Sequence, residues 1–328
     1  MKKALIITVC CFTACCLVIA GICLLAFRER YDRERYDIVK FSVEQEPDGV
    51  FSSRHYDELF MIVDGEIRSY DQNGSYDTWD IDIDVREIFP CKDELWLIDQ
   101  NNDLYRYSSG ESTLILNDVV DFDVFGKSYA AILGSGEVYV WGKDLYMYGA
   151  SGDYSEEPVL VENISGAKRV KLSNFYVLLL DKDGQLYEDS MLVDESQRGF
   201  KKIEGLEPIR EIYSGYGTIA VAASGKTYYW FKSYNSGAVD PDLDTSVIAS
   251  RCEELRVKNY SPGTDFWAAC TEQGEVCWWG VDEFRKSYDK SIHFVSSPEK
   301  LPHIKNAENV YSGAFVMYIK SGTDFYIV

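Results

Sequence analysis

The stretch TWDIDIDV, residues 78–85, places Asp80, Asp82 and Asp84 at alternate positions against Ile81, Ile83 and Val85. Side chains of an extended chain alternate between faces, so the three carboxylates share one side of a strand. Hard oxygen donors gathered in this way suit calcium. The stretch lacks the Asp-x-Asp-x-Asp-Gly loop that wraps an ion, and an outer strand with one solvated face accounts for the alternation without a metal. Calcium at Asp80, Asp82 and Asp84 is therefore the secondary reading, and no metal or cofactor is expected.

Other reactive groupings are sparse. The chain has three histidines, His55, His293 and His303, and none stands in a Ser/His/Asp, Cys/His or HExxH spacing. Its glycines occur singly in turns and build no phosphate cradle. With 54 acidic residues, any chosen carboxylate pair would be arbitrary. A non-enzyme is expected. Cys270 and Cys277 flank one turn; a two-residue turn at Gln273-Gly274 would set them at a hydrogen-bonded pair, too wide to favour a disulfide. A bulge would change that register, and free buried thiols are the expected state.

Binding chemistry is better represented. Tyr76 and Trp79 in NGSYDTWD, Tyr146 and Tyr148 in KDLYMYG and Tyr234 in SYNSG are aromatic residues amid polar ones, a common composition of binding anchors. From Ile38 onward the chain carries 27 Lys and Arg against 50 Asp and Glu, a net charge of −23. That field repels phosphate and disfavours nucleic acid and anionic membrane surfaces. It favours a basic protein partner, with attraction that weakens in salt. A sugar stacked on loop Tyr or Trp is the alternative ligand.

The elements that must carry these residues repeat. LFMIVDGEIRSY (59–70), LWLIDQNNDLYRY (95–107), AAILGSGEVYVWG (130–142), VLLLDKDGQLYED (177–189), IAVAASGKTYYWF (219–231), WAACTEQGEVCWWG (267–280) and VMYIKSGTDFYIV (316–328) share one plan. Each is an apolar strand, a short polar turn and a second strand with an aromatic or apolar pair. The turn glycines are Gly65, Gly136, Gly184, Gly225, Gly274 and Gly322, and Asn102-Asp103 substitutes in the second copy. The copies recur on average every 43 residues or so, the size of a four-stranded blade. The expected fold is an all-β, seven-bladed β-propeller over residues 38–328.

Segments such as VVDFDVFGKSY (119–129) and IREIYSGYGT (209–218) precede the hairpins as inner strands, with Gly126, Gly215, Gly263 and Gly313 where the chain meets the crowded centre. The last copy ends at Val328. DIVKFSVE (37–44) is then the strand that completes the last blade and closes the ring.

The run from Gly126 to Val161, with Trp141-Gly142, Tyr148-Gly149 and EEPVLVENI, resembles the regulator of chromosome condensation repeat. Trp279-Gly280 followed by SSPEKLPHIKNAENVYSG is the second-best copy, and the others are worn: Glu188-Asp189 stands where Trp-Gly would, and Trp230 is followed by Phe231. The resemblance implies a degenerate, bacterial-type, membrane-anchored member of that propeller family. It implies little about activity, because the repeat serves exchange factors, ubiquitin ligases and secreted inhibitors. Trp141, Trp230 and Trp279 share one place in the motif and are expected to fill the space between blades.

Ahead of the ring, Ala4–Phe27 is 24 residues without a charge, long enough to cross a bilayer as a helix. Residues 1–3 form a short tail, 4–27 a signal-anchor helix and 28–37 a charged spacer. Four arginines follow the apolar run and two lysines precede it, which leans towards a cytoplasmic body. The very short N-terminus leans the other way. The expectation is a single-pass membrane protein with its propeller outside the cytoplasm.

Overall fold

Each hairpin forms because its turn supplies residues that tolerate positive φ between two β-rich runs. Asp64 and Gly65, at φ 57° and 79°, make a two-residue turn of mirror-image type. In blades 2 to 6 the loop is one residue longer. The N–H of its last residue turns back to the end of the strand, as in Gly136 to Leu133 O (2.8 Å) and Gly274 to Thr271 O (3.0 Å). That residue is left-handed in each copy: Asn102, Gly136, Gly184, Gly225 and Gly274. The extra residue shifts the register by one. Cys270 therefore opposes Val276 and Cys277 opposes Ala269, and both thiols are free and buried.

The computed structural model describes residues 38–53, 55–91, 94–143, 154–162, 164–173, 176–190, 199–215, 217–230, 245–281, 294–302 and 304–328. The anchor 4–27, the spacer 28–37, and Tyr146, Tyr148, Tyr234, His293 and His303 lie outside them. Among the described residues, no helix is long and apolar enough to cross a membrane.

These residues build seven antiparallel sheets arranged as the blades of a propeller. Blade 1 is β2 (Gly49–Ser53), β3 (Tyr56–Val63), β4 (Glu66–Tyr70) and β5 (Tyr76–Trp79). Blade 2 is β6 (Val85–Cys91), β7 (Glu94–Asp99), β8 (Leu104–Ser108) and β9 (Glu111–Leu116). Blade 3 is β10 (Val119–Phe125), β11 (Ser128–Leu133), β12 (Val138–Lys143) and β13 (Tyr154–Leu160). Blade 4 is β14 (Ala167–Leu172), β15 (Tyr176–Asp181), β16 (Leu186–Ser190) and β17 (Lys201–Lys202). Blade 5 has three strands among the described residues, β18 (Ile209–Ser214), β19 (Thr218–Ala222) and β20 (Thr227–Trp230). Blade 6 is β21 (Val257–Pro262), β22 (Phe266–Thr271), β23 (Val276–Val281) and β24 (Phe294–Lys300). Blade 7 is β25 (Asn309–Ser312), β26 (Met317–Ser321), β27 (Asp324–Ile327) and the N-terminal β1 (Val39–Ser42).

The closing strand is where the repeat count requires it. Val39, Lys40, Phe41 and Ser42 pair with Ile327, Tyr326, Phe325 and Asp324. Lys40 Nζ lies 2.6 Å from Asp324 Oδ2, and Ser42 Oγ donates to Asp324 Oδ1 at 2.5 Å. These two contacts hold the Asp324 carboxyl below its ordinary range.

Blade 5 departs from the all-β expectation. A helix, α1 (Thr245–Glu254), packs against β20 and β24. Ile248, Cys252 and Leu255 fall four and three residues apart and are buried, the spacing of one helix face. Glu253 Oε1 accepts the N–H of Thr227 at 2.7 Å, satisfying a backbone donor on the outer side of β20.

The inner strands leave backbone donors facing the central channel, and side chains of the preceding blade take them up. Asp121 Oδ2 accepts Val170 N–H and Asp123 Oδ2 accepts Leu172 N–H, both at 2.7 Å; Ser261 Oγ accepts Ser312 N–H at 2.8 Å. Burial pushes the Asp121 carboxyl up to about 6, against the pull of Lys171, Arg169 and the Val170 N–H.

Apolar seams join the blades. Trp96, Phe122 and Trp141 fill the seam between blades 2 and 3, and Trp267 and Trp279 stack at 6.0 Å in the seam between blades 5 and 6. Trp230 is half-buried against the seam between blades 4 and 5. The glycines that follow Trp141 and Trp279 answer a close approach. A Cβ on Gly142 would stand 2.0 Å from Lys127 O, and one on Gly280 2.5 Å from Asp265 O.

Candidate functional site: the channel-mouth face

In every blade the first strand ends, and the second begins, at the same end of the ring. The third strand ends there too. Three recesses open at that end, and neighbouring recesses share residues.

The first is the mouth of the channel, about 310 Å³, with residues from all seven blades. Phe89, Pro90, Val124, Ile212 and Pro262 give it apolar walls; Ser214, Ser261 and Ser312 are buried at its rim. Lys171 Nζ lies 3.6 Å from Asp123 Oδ1 within it.

The second lies between blades 1 and 2 and holds about 540 Å³. Phe60 and Trp79 form its apolar wall with rings 5.8 Å apart, and Trp79 Nε1 donates to Ser69 Oγ at 3.0 Å. Asp57, Glu58 and Asp71 supply carboxylates, and no described lining residue is basic. Asp57 Oδ1 accepts Phe315 N–H at 2.7 Å across the seam with blade 7. The N–H groups of Asn73 and Ser75 hold the Asp71 carboxyl below its ordinary range. Partial desolvation at the recess wall, then the charges of Asp77 and Asp71, push Glu58 up, although its side chain is exposed.

The third, between blades 2 and 3, holds about 580 Å³ and shares Tyr56 and Cys91 with the second. Glu94 organises it. Its Oε1 accepts Trp96 Nε1–H at 2.9 Å and Tyr129 Oη–H at 2.7 Å, and its Oε2 pairs with Arg106 Nε at 3.2 Å. Burial and the Glu94 carboxylate together push the Tyr129 phenol up, so it stays a donor. Tyr154, 60% exposed, stands at the mouth and donates to Glu156 Oε1 at 3.1 Å.

The sequence-derived candidates scatter. Trp79 lines the second recess, whereas Tyr76 lies outside it, 52% exposed, with the Arg68 guanidinium over its ring at 5.0 Å. Asp80, Asp82 and Asp84 are exposed, and among the described residues no group of three or more His, Cys, Asp or Glu could hold a metal ion. His55 packs edge-on against Phe125 at 4.7 Å. Glu94, Arg106 and Tyr154 were missed. LWLIDQNNDLYRY reads as a plain hairpin, and only the register of β7 against β8 brings Arg106 opposite Trp96.

No protein-family model matches the chain. The E3 ubiquitin-protein ligase HERC2 of Mus musculus and that of Homo sapiens are 24% and 23% identical to it over 198 residues, 54% of this chain and 4% of theirs. Among known structures, human WBSCR16 superposes with a TM-score of 0.62 at 15% identity, over 88% of this chain and 87% of that one. Prp20p from Saccharomyces cerevisiae gives 0.61 at 10% identity, over 90% and 91%. Yeast RCC1 (Prp20) in complex with Kap60 gives 0.58 at 12%, over 89% and 79%. The chain has the RCC1-like propeller fold. At these identities the likeness defines architecture and leaves activity to the site.

Proposed function

We propose that this RCC1-like propeller is a non-catalytic, membrane-anchored interaction module that presents its channel-mouth face to a protein partner. The recess between blades 1 and 2 carries the reading. It combines an aromatic wall with three carboxylates and no basic residue among its described lining, a surface complementary to a basic segment. The related Prp20 is itself described bound to Kap60 and for its binding to Gsp1p and histones. A sugar-binding role has less support, since the exposed Tyr76 ring already carries the Arg68 guanidinium on its face.

The apolar run 4–27 supplies the anchor, and the propeller is read as lying outside the cytoplasm. A photo-crosslinking residue at Tyr76 or Trp79 should trap a protein in cells, and one at Asp183, exposed on a hairpin turn at the opposite end, should not. Equal trapping at both ends, or none at either, would overturn the reading. Protease added to sealed cells should remove the propeller; protection until lysis would reverse the orientation.

A further inference from the structure

The recess between blades 2 and 3 is built differently from its neighbour. Arg106 sits on β8 with its side chain half-exposed, its Nε in an ion pair with Glu94 Oε2 at 3.2 Å. Glu94 is in turn fixed by two donors, Trp96 and Tyr129, and its own side chain is 18% exposed. Both Nη groups of Arg106 are left without a protein acceptor among the described residues. Lys127 lines the same recess, exposed and without an ion-pair partner among the described residues. Glu156 is turned to the hydroxyl of Tyr154.

Among the described lining residues the formal charges of Arg106, Lys127, Glu94 and Glu156 cancel, so they offer directed donors rather than a net field. A guanidinium held at Nε presents a planar pair of donors whose spacing matches a carboxylate. Trp96 and Tyr129 orient Glu94, and the Glu94 carboxylate in turn holds the guanidinium near the recess by charge. Tyr154 and Tyr129 provide flanking rings for the stem of the incoming side chain.

We infer that the recess between blades 2 and 3 receives an aspartate or glutamate side chain of the protein partner, bound end-on by the two Nη groups of Arg106 with Lys127 beside it. The inference rests on the interaction reading above. It adds a specificity element: a partner drawn in by basic residues must also carry a carboxylate a short distance away, because the two recesses share Tyr56 and Cys91.

The test uses the full chain in detergent and two isosteric probes, N-acetyl-glutamate amide and N-acetyl-glutamine amide. Trp96 and Trp141 line the recess, so tryptophan fluorescence reports occupancy. The glutamate probe should saturate the signal, with the glutamine probe about tenfold weaker or more. Arg106→Ala should weaken the glutamate probe by a similar factor, and Arg106→Lys, which keeps charge without the fork, by less. Should the Ala variant melt early, Arg106→Gln repeats the measurement with the stem retained.

Equal responses to both probes, an unchanged response in the Arg106 variants, or tighter binding of inorganic phosphate than of the glutamate probe would each overturn the inference. The partner reading fails separately. A probe that binds while the crosslinkers trap nothing leaves the carboxylate site standing and removes the partner. Trapping with no probe response does the reverse.

Discussion

The two recesses flanking blade 2 are the same piece of scaffold used twice. Phe60 in blade 1 and Trp96 in blade 2 both face the following blade, and each has a glutamate two residues ahead, Glu58 and Glu94. The difference stands across the hairpin. Phe60 pairs with Ser69, and Trp96 pairs with Arg106. Where Arg106 is present, the glutamate is pinned and a guanidinium is presented. Where Ser69 stands, its hydroxyl takes the Trp79 indole and the glutamate faces other carboxylates. One position on the third strand therefore sets whether a seam offers a cation or an anion to a visitor.

The strongest way to break the comparison is to remove its shared wall. Trp96→Ala, at a 2% exposed site, should cost about 3–5 kcal/mol, and Phe60→Ala a similar amount. Thermal melts of the two variants that differed by more than about 2 kcal/mol would show that the seams are not equivalent scaffolds.

Transplanting the deciding residue is the next test. Ser69→Arg should bring the Glu58 carboxyl back towards its ordinary range, followed by NMR titration, and should confer binding of the glutamate probe on the first recess. It also removes the acceptor of Trp79 Nε1, at about 1 kcal/mol. A titration of Glu58 that does not move would mean that residue 69 is not the determinant.

Salt should separate the recesses more gently. Crosslinking through Trp79 depends on an unbalanced acidic surface and should fall between low and physiological ionic strength. Binding of the glutamate probe beside Arg106 should change little, because its donors are directed and its formal charges cancel.

The smallest effect concerns pH. Because the folded state raises Glu58 above its unfolded value, its contribution to stability is present below the unfolded pKa and is lost as pH rises through the folded one. Glu58→Gln should remove that slope and stabilise the protein near neutrality by a few tenths of a kcal/mol, its exposure keeping the figure small. Urea melts of both forms across the carboxylate range would show the slope or its absence.

The ring was legible because its signals are local. A glycine or asparagine between two β-rich runs states its own turn, and seven of them at blade spacing, with VKFS left over at the start, leave few alternatives. The helix Thr245–Glu254 was not legible. Its buried Ile248, Cys252 and Leu255 make a short apolar face easily taken for loop, and the all-β repeat gave no reason to expect a helix there. The recesses were partly legible: Trp79 stood out among polar neighbours. Arg106 did not, because a single arginine in a strand gains its role only from a register one turn residue long and from a glutamate twelve positions earlier.

The closing strand gives the ring a mechanical seam. Every other blade is laid down by consecutive chain, so tension on it is shared along a continuous hairpin series. Blade 7 alone is fastened by four residue pairs contributed by the segment that follows the proposed anchor. A pull on Val39 across the strand would part those pairs one after another, beginning at Val39 and Ile327; a pull along the strand would load all four at once. The attitude of the disc relative to a membrane would thus decide how much force a bound partner could exert before the ring opens, with the two recesses flanking blade 2 among the features deformed.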